Sequence, residues 1–308
     1  MPYPALWFRR RICFYFREAS ALFYAQLIVN GLVQGLIVGL AALAVTLVFG
    51  VARFANAATG DTMTFGAYAA LIGHKATGSL VVAGGAAVGA TALLSLTAYA
   101  LVFRKLAGRS VVALLVTSIG VGFLMRAVLG IVFGHNQQLF TVPLVRPIRF
   151  NGLVINPFDL QLAAVAAVAL VGVFLILYAT PIGRRMRAVA DNRELALVSG
   201  IRPERVMIAL WLLVGAVTGV AGMMLGMKTV VSPELGWEML LPAFAAAILG
   251  GIGSPAGAVL AGLLLGVAQE LSTPFVGFTY KLSISFVVLL LVLLVRPRGL
   301  FGRLEGVR

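Results

Sequence analysis

Apolar residues in this chain fall in long runs rather than in a regular period. Mostly apolar stretches cover 26–49, 80–103, 110–133, 160–178 and 206–227, with shorter ones at 240–251, 258–271 and 281–295. A spanning helix needs about 20 consecutive apolar residues. The pattern therefore predicts an all-α, polytopic integral membrane helical bundle of about 8 transmembrane segments, some broken or re-entrant. A membrane β-barrel would show short alternating segments of about 10 residues, and the chain has no such series.

Two stretches modify this picture. Residues 53–75 carry Asn56, Thr59, Gly60 and Asp61 and make a poor uniform span. Irregular backbone at membrane depth must face protein or a cavity, so a broken or re-entrant helix is expected there. Within 26–49, Gly31, Gly35 and Gly39 recur on one helix face, where a second helix is expected to approach closely. Residues 134–158 form a polar loop with a strand-like stretch after Asn151-Gly152 and are expected outside the cell.

Composition supports the membrane reading. Hydrophobic residues make up 61% of the 308 and charged residues only 11%, against about 25% charged in a soluble domain. Mean hydropathy is +1.05. The chain divides into a basic aromatic segment at 1–25, expected to be interfacial, a single membrane domain at 26–302, and a tail at 303–308. The net charge of +14 suits cytoplasmic loops of a membrane protein better than nucleic acid, because no basic stripe with interleaved aromatics accompanies it. Arg104, Lys105 and Arg109 mark one such loop, and Arg296, Arg298, Arg303 and Arg308 place the C-terminus inside. The cluster Arg9–Arg11 favours a cytoplasmic N-terminus, which requires 53–75 to be re-entrant; if 53–75 spans instead, the N-terminus lies outside. The single cysteine, Cys13, excludes an internal disulfide and a thiolate metal cluster.

Several chemistries are missing. None of the four lysines follows a glycine, so there is no phosphate-binding P-loop. His74 and His135 are far apart and in no metalloprotease motif. No nucleophile elbow is present. No metal or cofactor is expected on this chain. Asp61, Arg126 and Glu270 are the ionisable residues at membrane depth, and they are too few and scattered for an ion relay.

The least apolar stretch, 181–205, holds six of the 24 Lys/Arg and three of the ten Asp/Glu. Its composition predicts a helix over 183–198, stopped by Gly200, with Pro203 in the first turn of the next helix. Arg184, Ala188, Asn192 and Ala196 would share one face. Met186, Val189 and Val198 would rest on the membrane domain, and Arg187, Asp191 and Glu194 would point to water. Small residues at Ala188 and Ala196 favour docking of another protein.

The run GRRMRAVADNRELALVSGI at 183–201 resembles the coupling loop of the branched-chain amino-acid permease family of bacterial ATP-binding-cassette importers. So do Asn30-Gly31-Leu32 with Gly35, the segment Asn56, Gly60, Asp61, Gly66, Ala67, Tyr68, and AILGGIGSPAG at 247–257. The resemblance covers about residues 26–302. It implies a permease in the bacterial inner membrane with a homologous second permease subunit, two P-loop ATPase subunits that bind ATP and Mg, and a periplasmic substrate-binding protein. On it, Gly183, Arg187, Ala188, Ala190, Ala196, Gly200 and Ile201 would meet the ATPase. Asn56, Thr59, Gly60, Asp61, Gly250, Gly251 and Gly253 would serve the translocation path or its gating. Ala57 and Thr59 depart from the family's aromatic and histidine, and Arg185 from its small residue. The competing reading is a stand-alone secondary transporter or facilitator for a small polar solute.

Overall fold

The structure, a computed structural model, describes residues 5–141, 146–150, 153–295 and 299–301. Its framework is helical: α1 (Ala5–Ala52), α2 (Ala58–Thr77), α3 (Leu80–Ala98), α4 (Val111–Phe133), α5 (Pro157–Ala179), α6 (Pro181–Asp191), α7 (Arg193–Val198), α8 (Pro203–Lys228), α9 (Leu235–Gly250), α10 (Pro255–Val276) and α11 (Lys281–Val295). A π-helical turn, Tyr99–Phe103, extends α3. Two short antiparallel strands, β1 (Ile148–Phe150) and β2 (Leu153–Ile155), pair in the expected polar loop. Six helices are long and apolar enough to cross a membrane, and α9 and α11 are shorter apolar helices. The chain is thus a polytopic helical membrane bundle.

The bundle has two distinguishable ends. At the strand end, Val154 N–H donates to Gln26 Oε1 at 3.0 Å. Lys228 there faces Asp159 at 3.7 Å, and Gln138 pairs with Val231. At the basic end, Arg104 meets Glu204 at 3.1 Å, Arg53 donates to the Ala190 carbonyl, and Leu300 N–H donates to Leu249 O at 2.8 Å. Among the described residues, α1, α3, α4, α5, α8 and α10 are the helices long and apolar enough to span, and α2, α9 and α11 pack among them.

At α2 the structure sharpens the sequence reading. The break expected within 53–75 is confined to the residues before Ala58. From Ala58 onward the chain is one unbroken helix of 20 residues, about 30 Å long. It runs from inside the bundle, where Ala57 N–H donates to Ser118 Oγ at 2.9 Å about 10 Å along α4, to the strand end, where Lys75 meets Gln138 at 2.8 Å. The polarity that made 53–75 look re-entrant is internal. Thr59 and Thr62 donate to Asn56 O and Ala58 O, each at 2.8 Å, and Thr64 Oγ1 accepts Gly236 N–H at 2.9 Å. A helix surrounded by helices has no need of lipid-like side chains. Gln26 of α1 lies at the strand end, opposite 181–205. The segment before residue 26 is helical from Ala5 and continuous with α1. The tail 303–308 and Arg296, Arg298, Arg303 and Arg308 lie outside the described residues.

Close packing follows the small residues. A Cβ on Gly31 or Gly35 would sit 2.7 Å from the Cα of Val267 or Leu263 on α10, and one on Gly39 would sit 3.3 Å from Val259 O. Gly262 and Gly266 of α10 answer from the other side, against Gly39 and Gly35. Around α2, Gly66 meets Gly219, Gly222 meets Met63, and Gly60 meets Gly236. Small residues at these crossings let backbones touch, which is how helices gain dispersion contact in lipid.

Replacing Gly35 by Leu forces the α1–α10 seam apart and is expected to cost about 1–3 kcal/mol or more. Gly120→Ala, at a position with open space around it, is expected to be neutral or to stabilise by up to about 1 kcal/mol. Denaturant unfolding in detergent micelles checks both; equal effects would mean the seam is not tightly packed.

Candidate functional site

Functional chemistry concentrates in two places, the basic end and a charged group at membrane depth. At the basic end Thr180 caps α6, its hydroxyl accepting from Gly183 N–H at 3.3 Å, with Pro181 in the first turn. Proline suits that position because its missing N–H would have no intrahelical partner. Gly183 lies directly against the carbonyls of Ile176 and Leu177, where a Cβ has no room. Arg187 donates to Leu177 O and lies 5.3 Å over the Tyr178 ring. A cation on the last carbonyls of a helix offsets its dipole. Arg187, exposed as expected, also fastens α6 to the end of α5.

The helix expected over 183–198 is two helices. Asn192 adopts an extended conformation (φ −151°, ψ 109°), and its side chain accepts from Glu194 and Leu195 N–H, both at 3.0 Å. Asparagine competes well for backbone donors at a helix start, so α7 begins anew on its own axis. The faces expected for one helix do not survive the break. Ala196 is inside, at 4% exposure, and Val198 is outside at 88%. Met186 and Val189 are buried as anticipated, and Ala188 and Ala190 are half-buried or exposed at the surface of α6. Leu195, Leu197 and Val198 are exposed together, an apolar patch that the small-residue pattern does not mark.

Gly200 stops α7. Its φ is +81°, its N–H donates to Leu197 O, and Ile201 N–H donates to Ala196 O, both at 3.0 Å. This is the Schellman arrangement, which needs a left-handed residue at this place and favours glycine.

A cavity of about 790 Å³ opens at the same end between α1, α5, α6 and the turn joining α9 to α10, with Thr46, Arg53, Arg187, Asp191 and Gly253 on its walls. Gly250 and Gly251 serve the turn itself. Gly250 packs on Gly257, and its carbonyl accepts Phe301 N–H at 3.2 Å; Gly251 O accepts Ser254 N–H at 3.0 Å.

The second place is on α2 and α4. Asp61 Oδ1 accepts from Arg126 Nε at 3.0 Å and from Nη2 at 2.9 Å. The Asp61 side chain is 2% exposed and that of Arg126 15%. The guanidinium carbon sits 4.7 Å from the Trp237 ring centre and 5.1 Å from that of Phe123. Asn56 lies one turn earlier and holds the start of α2, its Oδ1 accepting Ala58 N–H at 3.2 Å. Asn56, Thr59, Gly60 and Asp61 are all buried, joined to α4 and α9, while the 250–253 turn belongs to the cavity at the basic end. Glu270 pairs with Lys281. No group of three metal-ligating side chains occurs among the described residues. Asp61 and Arg126 were visible in the sequence singly; Phe123, three residues from Arg126, was the one available hint of the aromatic box. Trp237 carried no signal.

Membrane-length helices around a buried ion pair, with a capped helical element displayed at one end, define a multi-pass membrane protein. A family model described as "Branched-chain amino acid transport system / permease component" matches residues 27–294, and the chain belongs to this permease family. It is 31% identical to the high-affinity branched-chain amino acid transport system permease protein BraD of Pseudomonas aeruginosa, over 92% of this chain and 97% of that protein. Identity to the permease protein LivH of Escherichia coli strain K12 is 32%, over the same shares. The ribose import permease protein RbsC of Bacillus subtilis is 31% identical over 43% of this chain and 44% of its own.

Removing one member of a buried ion pair strands the other. Asp61→Asn or Arg126→Gln alone is expected to cost about 3–5 kcal/mol, and the double substitution less than the sum of the two. A double-mutant cycle on denaturant unfolding in micelles measures the coupling; strictly additive losses would show that the two groups do not support one another.

Proposed function

We propose that this chain is one permease subunit of an ATP-binding-cassette importer in the bacterial inner membrane. It forms the translocation path, with a homologous second permease, for amino acids delivered by a periplasmic binding protein. Branched-chain amino acids are the first candidates, as the names of BraD and LivH suggest. The basic end faces the cytoplasm. It carries Arg104, Lys105, Arg109 and the six arginines of 181–205, the bias expected of cytoplasmic loops. The bonding of the segment 299–301 to Leu249 and Gly250 supports the same side for the C-terminal part. Two P-loop ATPases supply ATP and Mg, and this chain contributes transport without an ATPase motif or cofactor of its own.

One observation carries the coupling role: Leu195, Leu197 and Val198 stand exposed on a short helix capped at both ends, at the aqueous limit of the bundle. Exposed apolar groups rimmed by charge mark a protein contact. An ATPase groove closing over α7 buries them, and dimerisation of the ATPases then moves α6 and α7 as a unit against the membrane helices. Gly183, Arg187 and Ala190 fasten this unit to its own subunit, whereas the contact with the ATPase falls on α7 and its Gly200 stop.

In proteoliposomes, uptake of leucine is expected to require ATP, both ATPases and the binding protein. Val198→Asp is expected to lower uptake at least tenfold and weaken co-purification of the ATPases. Gly200→Pro, whose ring cannot adopt a positive φ, is expected to leave membrane insertion intact while ATP hydrolysis no longer drives uptake. Uptake by this chain alone under an imposed proton or sodium gradient would overturn the proposal in favour of a secondary transporter.

A further inference from the structure

We propose that Arg126, in its box with Asp61, Phe123 and Trp237, is a substrate contact in the translocation path that takes the carboxylate of an aliphatic amino acid. The inference rests on the amino-acid import reading above. Arg126 is the sixteenth residue of the 23-residue α4, so it lies about 10 Å inside the strand-end limit of that helix. At this depth a guanidinium does not face hydrocarbon; it faces protein or a water-filled path. It is nevertheless partly exposed, and so are both rings, Phe123 at 52% and Trp237 at 37%. The group therefore opens toward the outside of this subunit, where the second permease and the path between the two would lie.

The donor count leaves room for a ligand. A guanidinium has five N–H donors in a planar fork. Asp61 takes two of them, from Nε and Nη2, on one oxygen. No other hydrogen bond to Arg126 occurs among the described residues, so both donors of Nη1 remain for an incoming carboxylate. Asp61 fixes the plane of the fork and neutralises the charge at rest, which keeps the site tolerable when empty. The rings of Phe123 and Trp237, 5.9 Å apart, offer an apolar edge beside the charge. The combination fits a small solute with a carboxylate at one end and an aliphatic body at the other.

The test uses the purified importer complex without its binding protein, comparing tryptophan emission of the unsubstituted complex with that of W237F. Leucine is expected to change the Trp237 emission saturably in the millimolar range. Leucinamide, which lacks the carboxylate, is expected to act at least tenfold more weakly. The paired variant D61N/R126Q, checked for assembly by co-purification with its partners, is expected to lose the leucine response and the discrimination together. The proposal is overturned if leucine leaves the Trp237 emission unchanged, if leucine and leucinamide act alike, or if the assembled variant responds as the unsubstituted complex does. Failure of the import reading shows separately, as absence of ATP-driven leucine uptake by the unsubstituted complex.

Discussion

Backbone contact through small residues is the constraint on which the rest of this structure depends. In lipid the helices gain nothing from hiding apolar surface, and association rests on dispersion and on hydrogen bonds between helices. The seam of Gly31, Gly35 and Gly39 against Gly262 and Gly266 joins α1 to α10, elements from opposite ends of the chain. The second set of crossings, Gly60 on Gly236 and Gly66 on Gly219, does the same for α2. These contacts allow a helix with Thr59, Thr62 and Thr64 all buried to run through the middle of the bundle. They also bring Asp61 to Arg126, because a helix held that close to its neighbours delivers its polar side chains at a fixed height.

The same constraint explains the mixed legibility of the fold. Spans such as 80–103 and 110–133 were readable because lipid demands uniform apolarity over a known length, and α3 and α4 answer that demand almost residue for residue. The glycine spacing was readable because a helix repeats. Residues 53–75 were readable only in part because polarity at membrane depth has two causes, a broken backbone as at 53–57 or burial among other helices as in α2, and composition alone does not separate them. Only the placement of α3, α8 and α9 around α2 does.

The candidate sites show a parallel split. Gly200 was legible as a stop because left-handed backbone selects glycine. The break at Asn192 was not, because asparagine is tolerated within helices and favoured at their starts. That one residue moved Ala196 inward and Val198 outward, so the surface available to a partner is apolar and branched instead of small. Arg187 keeps its expected exposure and also meets the carbonyl end of α5. The Trp237 ring reaches Arg126 from a distant part of the sequence, a relation that only the folded chain reveals.

Arg53 gives the basic end a mechanical meaning. It closes α1 with a left-handed backbone, φ +61°, a conformation that costs a non-glycine residue about 1–3 kcal/mol, and its guanidinium holds the Ala190 carbonyl at the end of α6. The residue that bends the chain toward α2 is thus the residue that grips the displayed helices. Slack between the two is limited to one side chain. The end of α6 and the turn that leads into α2 are thus tied through a single residue.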